Sequence, residues 1–500
     1  MSSFNLANDP WIPCLEADGT VRERSLRSCL ADARELVGLA VPSPIASFAL
    51  HRLLLAVVHA ALRGPRSLAE AADLLESSAF DDRVGDYLDE WQARFDLFGE
   101  DRPFMQPGEK SAPFTKTVAA LVHEWTSGNN ATLTDHHIDD DPPALRPGEA
   151  ALALVTTQAF AVQGGAPPRG EKYYLRSAAI TQRIACLLTG RRLRETLVAN
   201  LVRYEPGGES PMPSSEHDAP CWERETEQEP TNNGTVPTGW LDYLTWQPRA
   251  VRLRCDDDDL IRMCVMRQHL SLATPPPRDP HTPYRIDPKH GRVSLRVRSG
   301  RALWRDAHAI VLGLLPERDV NPEGVLAWGM ELRALGTGVD GLSACGLDIS
   351  QGKIVHWLSA RLPSVPAIAE DVDRRDVLVR AIEYADRSAA VALRRAVAAA
   401  YKAFGAQTPS RIAPEDPFWA ALETRFAQFL IGLGDLDKEP ELALERWQTN
   451  VYASAESALR QALAATPPSG RGHQASAAAL RAFRRSLPRP ARRTSAEEAS

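Results

Sequence analysis

The sequence predicts an α+β chain, with a large mixed α/β N-terminal domain followed by a C-terminal helical bundle. Three observations carry this. The 500 residues exceed what one core holds, since single cores rarely grow past ~300 residues. Helical periodicity and strand-like runs interleave up to about residue 363. From Asp371 onward the segments are Ala- and Arg-rich helical patterns, with Pro and Gly between them rather than inside. The expected division is 1–365 for the mixed domain and 366–466 for a bundle of three or four helices. A basic tail follows over 467–500, part-helical from Ala475 to Leu487.

Taken in order, residues 1–30 read as short strands about a turn. The prolines extend Asn8 to Pro13, Ala17-Asp18-Gly19-Thr20 is a hairpin signal, and Ser25 can cap the next segment. Apolar positions from Ile45 to Ala61 recur at helical spacing, so Pro44 to Leu62 is a helix. Asp81 to Phe95 is a second. Residues 98–108 form a loop, and 127–143 lack periodicity altogether. A helix runs from Pro147 through Ala161 and stops at Gln163-Gly164-Gly165-Ala166-Pro167-Pro168, where glycines can take positive φ and prolines block continuation. Leu193 to Val202 is helical, 205–238 is polar loop, and Tyr243 to Leu253 and Val293 to Val297 are strand-like. Asn321 to Leu335 is a helix and Lys353 to Leu358 a short strand. Helical patterns then cover Asp371 to Phe404, Phe418 to Leu433 and Leu442 to Ala465.

Composition narrows the class. Hydrophobic residues make up 44% and charged residues 25%, which excludes wholesale disorder. The net charge of -7 argues against coating nucleic acid by bulk charge, while leaving room for a local basic groove. Seven scattered cysteines, with no CxxC pair, point away from a disulfide framework and fit a reducing cytosol. The start of the chain lacks a signal-peptide pattern. The apolar run Leu53 to Leu62 is shorter than the ~20 residues a membrane span needs. A cytoplasmic protein without membrane partners is expected. The tail from Thr466 holds seven Arg and two Glu, suited either to solvent or to a nucleic-acid contact.

Few constellations carry chemistry. Asp135-His136-His137-Ile138-Asp139-Asp140-Asp141 is dense in metal-ligand types, but it sits in a Pro-bounded loop with no second cluster to complete a shell. Gly336-Thr337-Gly338-Val339-Asp340-Gly341 is a literal GxGxxG without the strand before it and the helix after it that a dinucleotide site needs. No GxSxG, P-loop or HExxH occurs. The chain does not read as an enzyme, and no cofactor is expected. Two loops remain. Gln163-Gly164-Gly165-Ala166 admits a close backbone approach and is followed by the cations Arg169, Lys172 and Arg176, which could pair phosphates. Leu347 to Lys353 places Gln351 and Lys353 beside a glycine at a loop tip.

Together these segments resemble the large subunit (CasA) of the type I-E CRISPR Cascade surveillance complex. The resemblance rests on the opening Phe4-Asn5-Leu6 with Asp9 to Pro13, on Arg102-Pro103-Phe104-Met105-Gln106, and on Gly128 to His137. It rests also on Ala159 to Gly165, Leu197 to Leu201, Leu244-Thr245-Trp246-Gln247-Pro248 and Asp279-Pro280-His281. It spans residues 4 to about 465, and the order and spacing of many segments carry it. It implies a C-terminal four-helix bundle and a non-catalytic subunit that reads a protospacer-adjacent motif in duplex DNA, largely from the minor groove. That subunit then helps open the duplex for guide pairing, in an R-loop.

Residue by residue, the resemblance assigns Gln163, Gly164, Gly165 and Ala166 to a glycine loop and Gln351 to a wedge beside the first base pair. Ser350 is the wedge's neighbour, Lys353 holds a phosphate, and Arg267 probes the motif. Asn129, Asn130, Thr132, Leu133, Asp135, His136 and His137 fall on a loop that docks onto guide RNA and neighbouring subunits. The implied partners are the CRISPR guide RNA with the backbone, handle-capping and small Cascade subunits, double-stranded target DNA, and the helicase-nuclease effector. Two other readings stay open: a metal-dependent nuclease or phosphohydrolase built on His136, His137 and Asp139 to Asp141, and a protein-only scaffold.

Overall fold

The computed structural model describes residues 3–107, 116–125, 143–164, 175–226, 228–229, 231, 234–287, 289–298, 301–307, 310, 324–335, 338–363, 365–405 and 412–490. The chain forms two compact units, Met1–Ser299 with Pro316–Arg361 and Gly300–Leu315 with Leu362–Ser500.

The strands, in chain order, are β1 (Ile12–Leu15), β2 (Val21–Arg24), β3 (Gly38–Leu39), β4 (Lys116–Thr117), β5 (Ala185–Gly190), β6 (Arg249–Leu253), β7 (Met263–Gln268), β8 (Tyr284–Asp287), β9 (Gly291–Ser294), β10 (Val339–Ser350) and β11 (Lys353–Pro363). They make three three-stranded sheets, β2-β1-β3, β11-β10-β5 and β4-β7-β6, and the hairpin β8-β9. β10 runs antiparallel to β5 with Leu342 opposite Leu188, and β6 pairs β7 with Ala250 opposite Arg267.

The core of the first unit is the Pro44–Leu62 helix. Pro44 sits in its first turn, Ser43 caps it through a hydroxyl that accepts the Ala46 N–H, and Arg63 closes it at φ 48°. Its length and apolar character would suffice for a membrane span, with mean hydropathy 1.8, but 89% of that stretch is buried inside the protein. Its polar residues are absorbed there too. Arg52 is ion-paired to Asp279 at 3.0 Å, donates to the Tyr243 carbonyl at 2.9 Å, and lies over the Tyr243 ring. His281 stacks on Trp240. The Asp279-Pro280-His281 segment is therefore a core anchor. The Arg52 guanidinium and the His281 N–H hold the buried Asp279 carboxyl far below the usual carboxylate range, against the opposing effect of burial.

Three readings of the sequence change. Tyr243 to Leu253 is not one strand: Trp240–Leu244 is helical and β6 begins at Arg249. The buried Asp218 carboxylate accepts the N–H groups of Leu241 and Asp242 at 2.8 and 3.1 Å, so it satisfies the first turn of a helix that has no local cap. The stretch after Gly338, for which the sequence offered no strand, is the twelve-residue strand β10. The GxGxxG thus leads into a strand rather than the helix a dinucleotide would require.

The third change concerns the tail. In the second unit, Val372–Glu383 continues through a π-helical segment, Tyr384–Ala389, into Ala390–Phe404. Glu415–Leu433, Pro440–Ala464 and Gly470–Ser486 complete a four-helix bundle. The last helix comes from the segment expected to be a part-helical tail outside the bundle, and its helix runs over Gly470–Ser486. Ser469 caps it, and Ala475, Ala479, Phe483 and Leu487 are buried. Phe483 packs on Tyr452 at 5.6 Å. Trp304, from the Gly300–Leu315 segment of this second unit, packs with Phe426, Trp419 and Trp447.

Candidate nucleic-acid interface

The Pro147–Phe160 helix ends where the chain turns extended, and Gly164 takes φ +106°. The returning segment is sewn to this end. The Gly164 N–H donates to the Leu175 carbonyl at 3.1 Å and the Ala178 N–H to the Ala161 carbonyl at 2.8 Å. The Gln163 N–H donates to the Ser177 hydroxyl at 3.2 Å.

Three buried polar side chains fix this neck. Arg249 donates to the Val162 carbonyl at 2.8 Å and to the Gln268 amide oxygen at 3.1 Å. That same oxygen accepts the Arg176 N–H at 2.8 Å. Gln158 donates to the Arg249 carbonyl at 2.9 Å. Burial pushes the Arg249 guanidinium down to about 10, still charged at neutral pH. The loop is thereby clamped to the β6–β7 pair. Arg249, Gln268 and Gln158 are the residues that the sequence reading missed. The only signals were adjacencies in sequence: Arg249 follows the Leu244-to-Pro248 segment and Gln158 precedes the Ala159-to-Gly165 segment.

The second element is the β10–β11 turn. Ser350 ends one strand and Lys353 begins the next, leaving the two-residue turn Gln351-Gly352. Both residues have positive φ, 51° and 77°, as a hairpin turn of the primed kind requires. Glycine accepts this without cost. Glutamine does not, and its left-handed conformation costs on the order of 1 kcal/mol. A Cβ built on Gly352 would stand 3.0 Å from the Gln163 carbonyl oxygen, so the hairpin tip rests on the neck of the glycine loop.

Gln163, Gly164, Ser350, Gln351, Lys353 and Arg176 are all exposed, while Gly352 between them is half-buried. The structure therefore joins two loops far apart in sequence into one edge. That edge offers amide groups (Gln163, Gln351), a hydroxyl, exposed glycine backbone and a lysine. Arg267 is half-buried on β7, and strand alternation puts it on the face opposite Gln268.

Gly165, Ala166, Arg169 and Lys172 lie outside the described residues, as do Asn129, Asn130, Thr132, Leu133, Asp135, His136, His137 and Asp139 to Asp141. Among the described residues, no group of three His, Cys, Asp or Glu side chains is placed to hold a metal ion.

Comparisons with known proteins follow this architecture. A sequence model of the CRISPR-associated protein Cse1 family matches residues 5–459. The CRISPR-associated protein CasA/Cse1 of Thermus thermophilus is 36% identical over 320 residues, which cover 62% of this chain and 61% of that relative's length. The structure of Thermus thermophilus CasA (Cse1) superposes with TM-score 0.81 at 28% identity, covering 97% of this chain and 99% of that one. Cse1 from Acidimicrobium ferrooxidans gives 0.79 at 27%, covering 98% of each chain. A chain of a CRISPR RNA-guided surveillance complex shares the fold at TM-score 0.77 and 21% identity, over 97% of this chain and 100% of that one. With a family match over most of its length, the chain belongs to the CRISPR-associated protein Cse1 (CasA) family.

Proposed function

We propose that this chain is the non-catalytic large subunit of a cytoplasmic, RNA-guided DNA surveillance complex. In this reading it recognises a short adjacent motif in duplex DNA and helps open the first base pairs for guide pairing. The observation that carries the reading is the seating of the Gln351-Gly352 tip on the Gln163-Gly164 neck. Glycine backbone can approach a groove floor that a side chain would block. The minor groove offers a degenerate pattern of acceptors, suited to amide donors such as Gln163 and Gln351. The neighbouring Gln351 side chain projects from a stiff two-strand lever. A wedge must resist restacking bases, and a hairpin pinned at its tip does so better than a free loop. Lys353 and Arg176 supply phosphate contacts, which position the protein without reading sequence.

The net charge of -7 means that guide RNA and the other subunits complete the groove. Residues 127–143 form the docking segment toward those partners, and the subunit also helps recruit the helicase-nuclease. Arg267 is the motif probe in this reading, approaching from β7 rather than from the tip.

The test is duplex binding by the guide-RNA complex, with and without this subunit, on targets with and without a candidate motif. Motif-dependent binding that requires the subunit is expected. Binding indifferent to the subunit would leave a protein-only scaffold.

A further inference from the structure

We infer that Arg249 is a positioning residue for duplex recognition, and that the counter-charge of its buried guanidinium is a DNA phosphate brought to the Gln163-Gly164 neck. The inference rests on the duplex reading proposed above. It adds a residue that lies beneath the edge rather than on it.

Four arginines are buried among the described residues: Arg52, Arg194, Arg249 and Arg374. Three of them face a carboxylate. Arg52 pairs with Asp279 at 3.0 Å, Arg194 with Asp81, and Arg374 with Asp371 at 3.2 Å. Arg249 is 1% exposed. Its acceptors are the Val162 carbonyl at 2.8 Å, the Pro248 carbonyl at 3.1 Å and the Gln268 amide oxygen at 3.1 Å. All three are neutral. Burial alone shifts this guanidinium, and no described carboxylate opposes it. A buried charge without an opposite charge is costly, so the fold carries this one against its own stability.

The surroundings add to the charge. Lys116 and His123 lie close enough for Arg249 to lower both, alongside the larger effect of burial. The His123 Nε2 is 2.9 Å from the Phe160 carbonyl, and its Nδ1 is buried without a partner. Glu124 acts on His123 and not on Arg249. The C-terminal end of the Pro147–Phe160 helix supplies only about half an elementary charge of the opposite sign. A net positive potential remains under the neck.

That potential reaches solvent at one edge. Val162, which accepts from Arg249, precedes the exposed Gln163 and Gly164. The Gln268 oxygen that accepts from Arg249 also accepts the N–H of Arg176, whose side chain is exposed. The guanidinium thus stands behind the backbone on both sides of the neck. An anion at this edge is attracted by Arg249 without touching it, and the protein interior screens that attraction less than water does. Duplex DNA presents phosphates at regular spacing, and one set beside Arg176 supplies the missing charge.

The experiment uses the guide-RNA complex containing the full chain. A fluorescein-labelled duplex bearing the motif is titrated by anisotropy at several salt concentrations. Gln268→Glu is the central variant. It keeps an acceptor for Arg249 and for the Arg176 N–H, but it places a carboxylate on Arg249, so the buried charge is neutralised from inside. The subunit is expected to melt no lower than the parent. Duplex binding is expected to weaken roughly fivefold at low salt and to depend less on salt. A residue that only clamped the loop would leave both readings unmoved. Arg249→Lys and Arg249→Gln both lose the guanidinium fork and differ in charge, so the lysine variant is expected to bind the duplex more tightly. If Gln268→Glu does not fold, this comparison decides. Parent-like binding by Gln268→Glu, or equal losses in the lysine and glutamine variants, overturns the inference and leaves Arg249 as a clamp. Parent binding indifferent to the subunit or to the motif would instead overturn the duplex reading beneath it.

Discussion

Gly164 and Gly352 meet backbone to backbone: a Cβ on Gly164 would lie 3.4 Å from the Gly352 Cα, and a Cβ on Gly352 would lie 3.6 Å from the Gly164 Cα. Both glycines have positive φ. The contact makes the loop and the hairpin tip one mechanical element, so a change in either should be felt by both.

Gly352→Ala tests this coupling. Alanine there incurs about 1 kcal/mol for the left-handed conformation. It also forces the Gln163 carbonyl, 3.0 Å from the new Cβ, to move. Gly291 is the control, with φ +67° and nothing within 4 Å of its Cβ, so alanine there carries the conformational cost alone. Target binding by the complex should fall at least fivefold for Gly352→Ala and stay within twofold for Gly291→Ala. Equal binding by the two variants would mean that the seating has no functional weight.

Gln351 separates stability from function. At φ 51°, glycine would be preferred by roughly 1 kcal/mol. Gln351→Gly should therefore resist local hydrogen exchange of the β10–β11 hairpin as well as the parent or better. If the side chain is the wedge, the same variant should open the first base pairs less, read by 2-aminopurine fluorescence at those positions. Gln351→Asn, whose amide is shorter and which tolerates the left-handed region, should fall between. A glycine variant that opens DNA like the parent would remove the wedge from this residue.

The sequence made the long elements legible. Pro44 at the first turn and an apolar stripe located the central helix, and the glycines after Ala161 located the loop. The Gln351-Gly352 turn was visible only as a loop tip. β10 was hidden because its middle, Ala344 to Leu347, is continuously buried, so it lacks strict alternation, and its glycines resemble a bend. The Trp240–Leu244 helix was unreadable because its cap is Asp218, far upstream. The meeting of the Gln163 and Gly352 segments was unreadable for the same reason. A contact between distant loops depends on Arg249, Gln268 and Gln158 in the core, and no local pattern encodes it.

Acid should loosen the first unit before other conditions do. Burial lowers His51 and His59, both in the central helix, and also His269, each to about 4 from the usual 6.5. Each is neutral in the fold and binds a proton when unfolded between these values. Stability is therefore full above pH 6.5 and falls as pH drops toward 4, by up to ~1.4 kcal/mol per pH unit per histidine. Asp279, held low, contributes stability above the ordinary carboxylate range and loses it only at still lower pH. Hydrogen exchange of the slowest amides in Pro44–Leu62 should quicken, after correction for intrinsic rates, between pH 7 and 5. Constant protection over that range would show that these histidines do not titrate on unfolding.

The last helix offers the sharpest contrast between a tail and a structural member. Phe483 is fully buried against Tyr452, whereas Arg481, two residues earlier, is exposed. A solvated arm would treat the two substitutions alike. A bundle helix would not, since removing a buried phenyl leaves a cavity that costs about 3–5 kcal/mol, while an exposed arginine is worth little. Phe483→Ala should lower the bundle's melting temperature by several degrees, and Arg481→Ala should leave it unchanged. Ala475 and Ala479 lie on the same buried face, so Ala479→Asp should reproduce the effect of Phe483→Ala by placing an unpaired charge between closely packed helices. Indifference to all three substitutions would return residues 470–486 to the status of an appended arm.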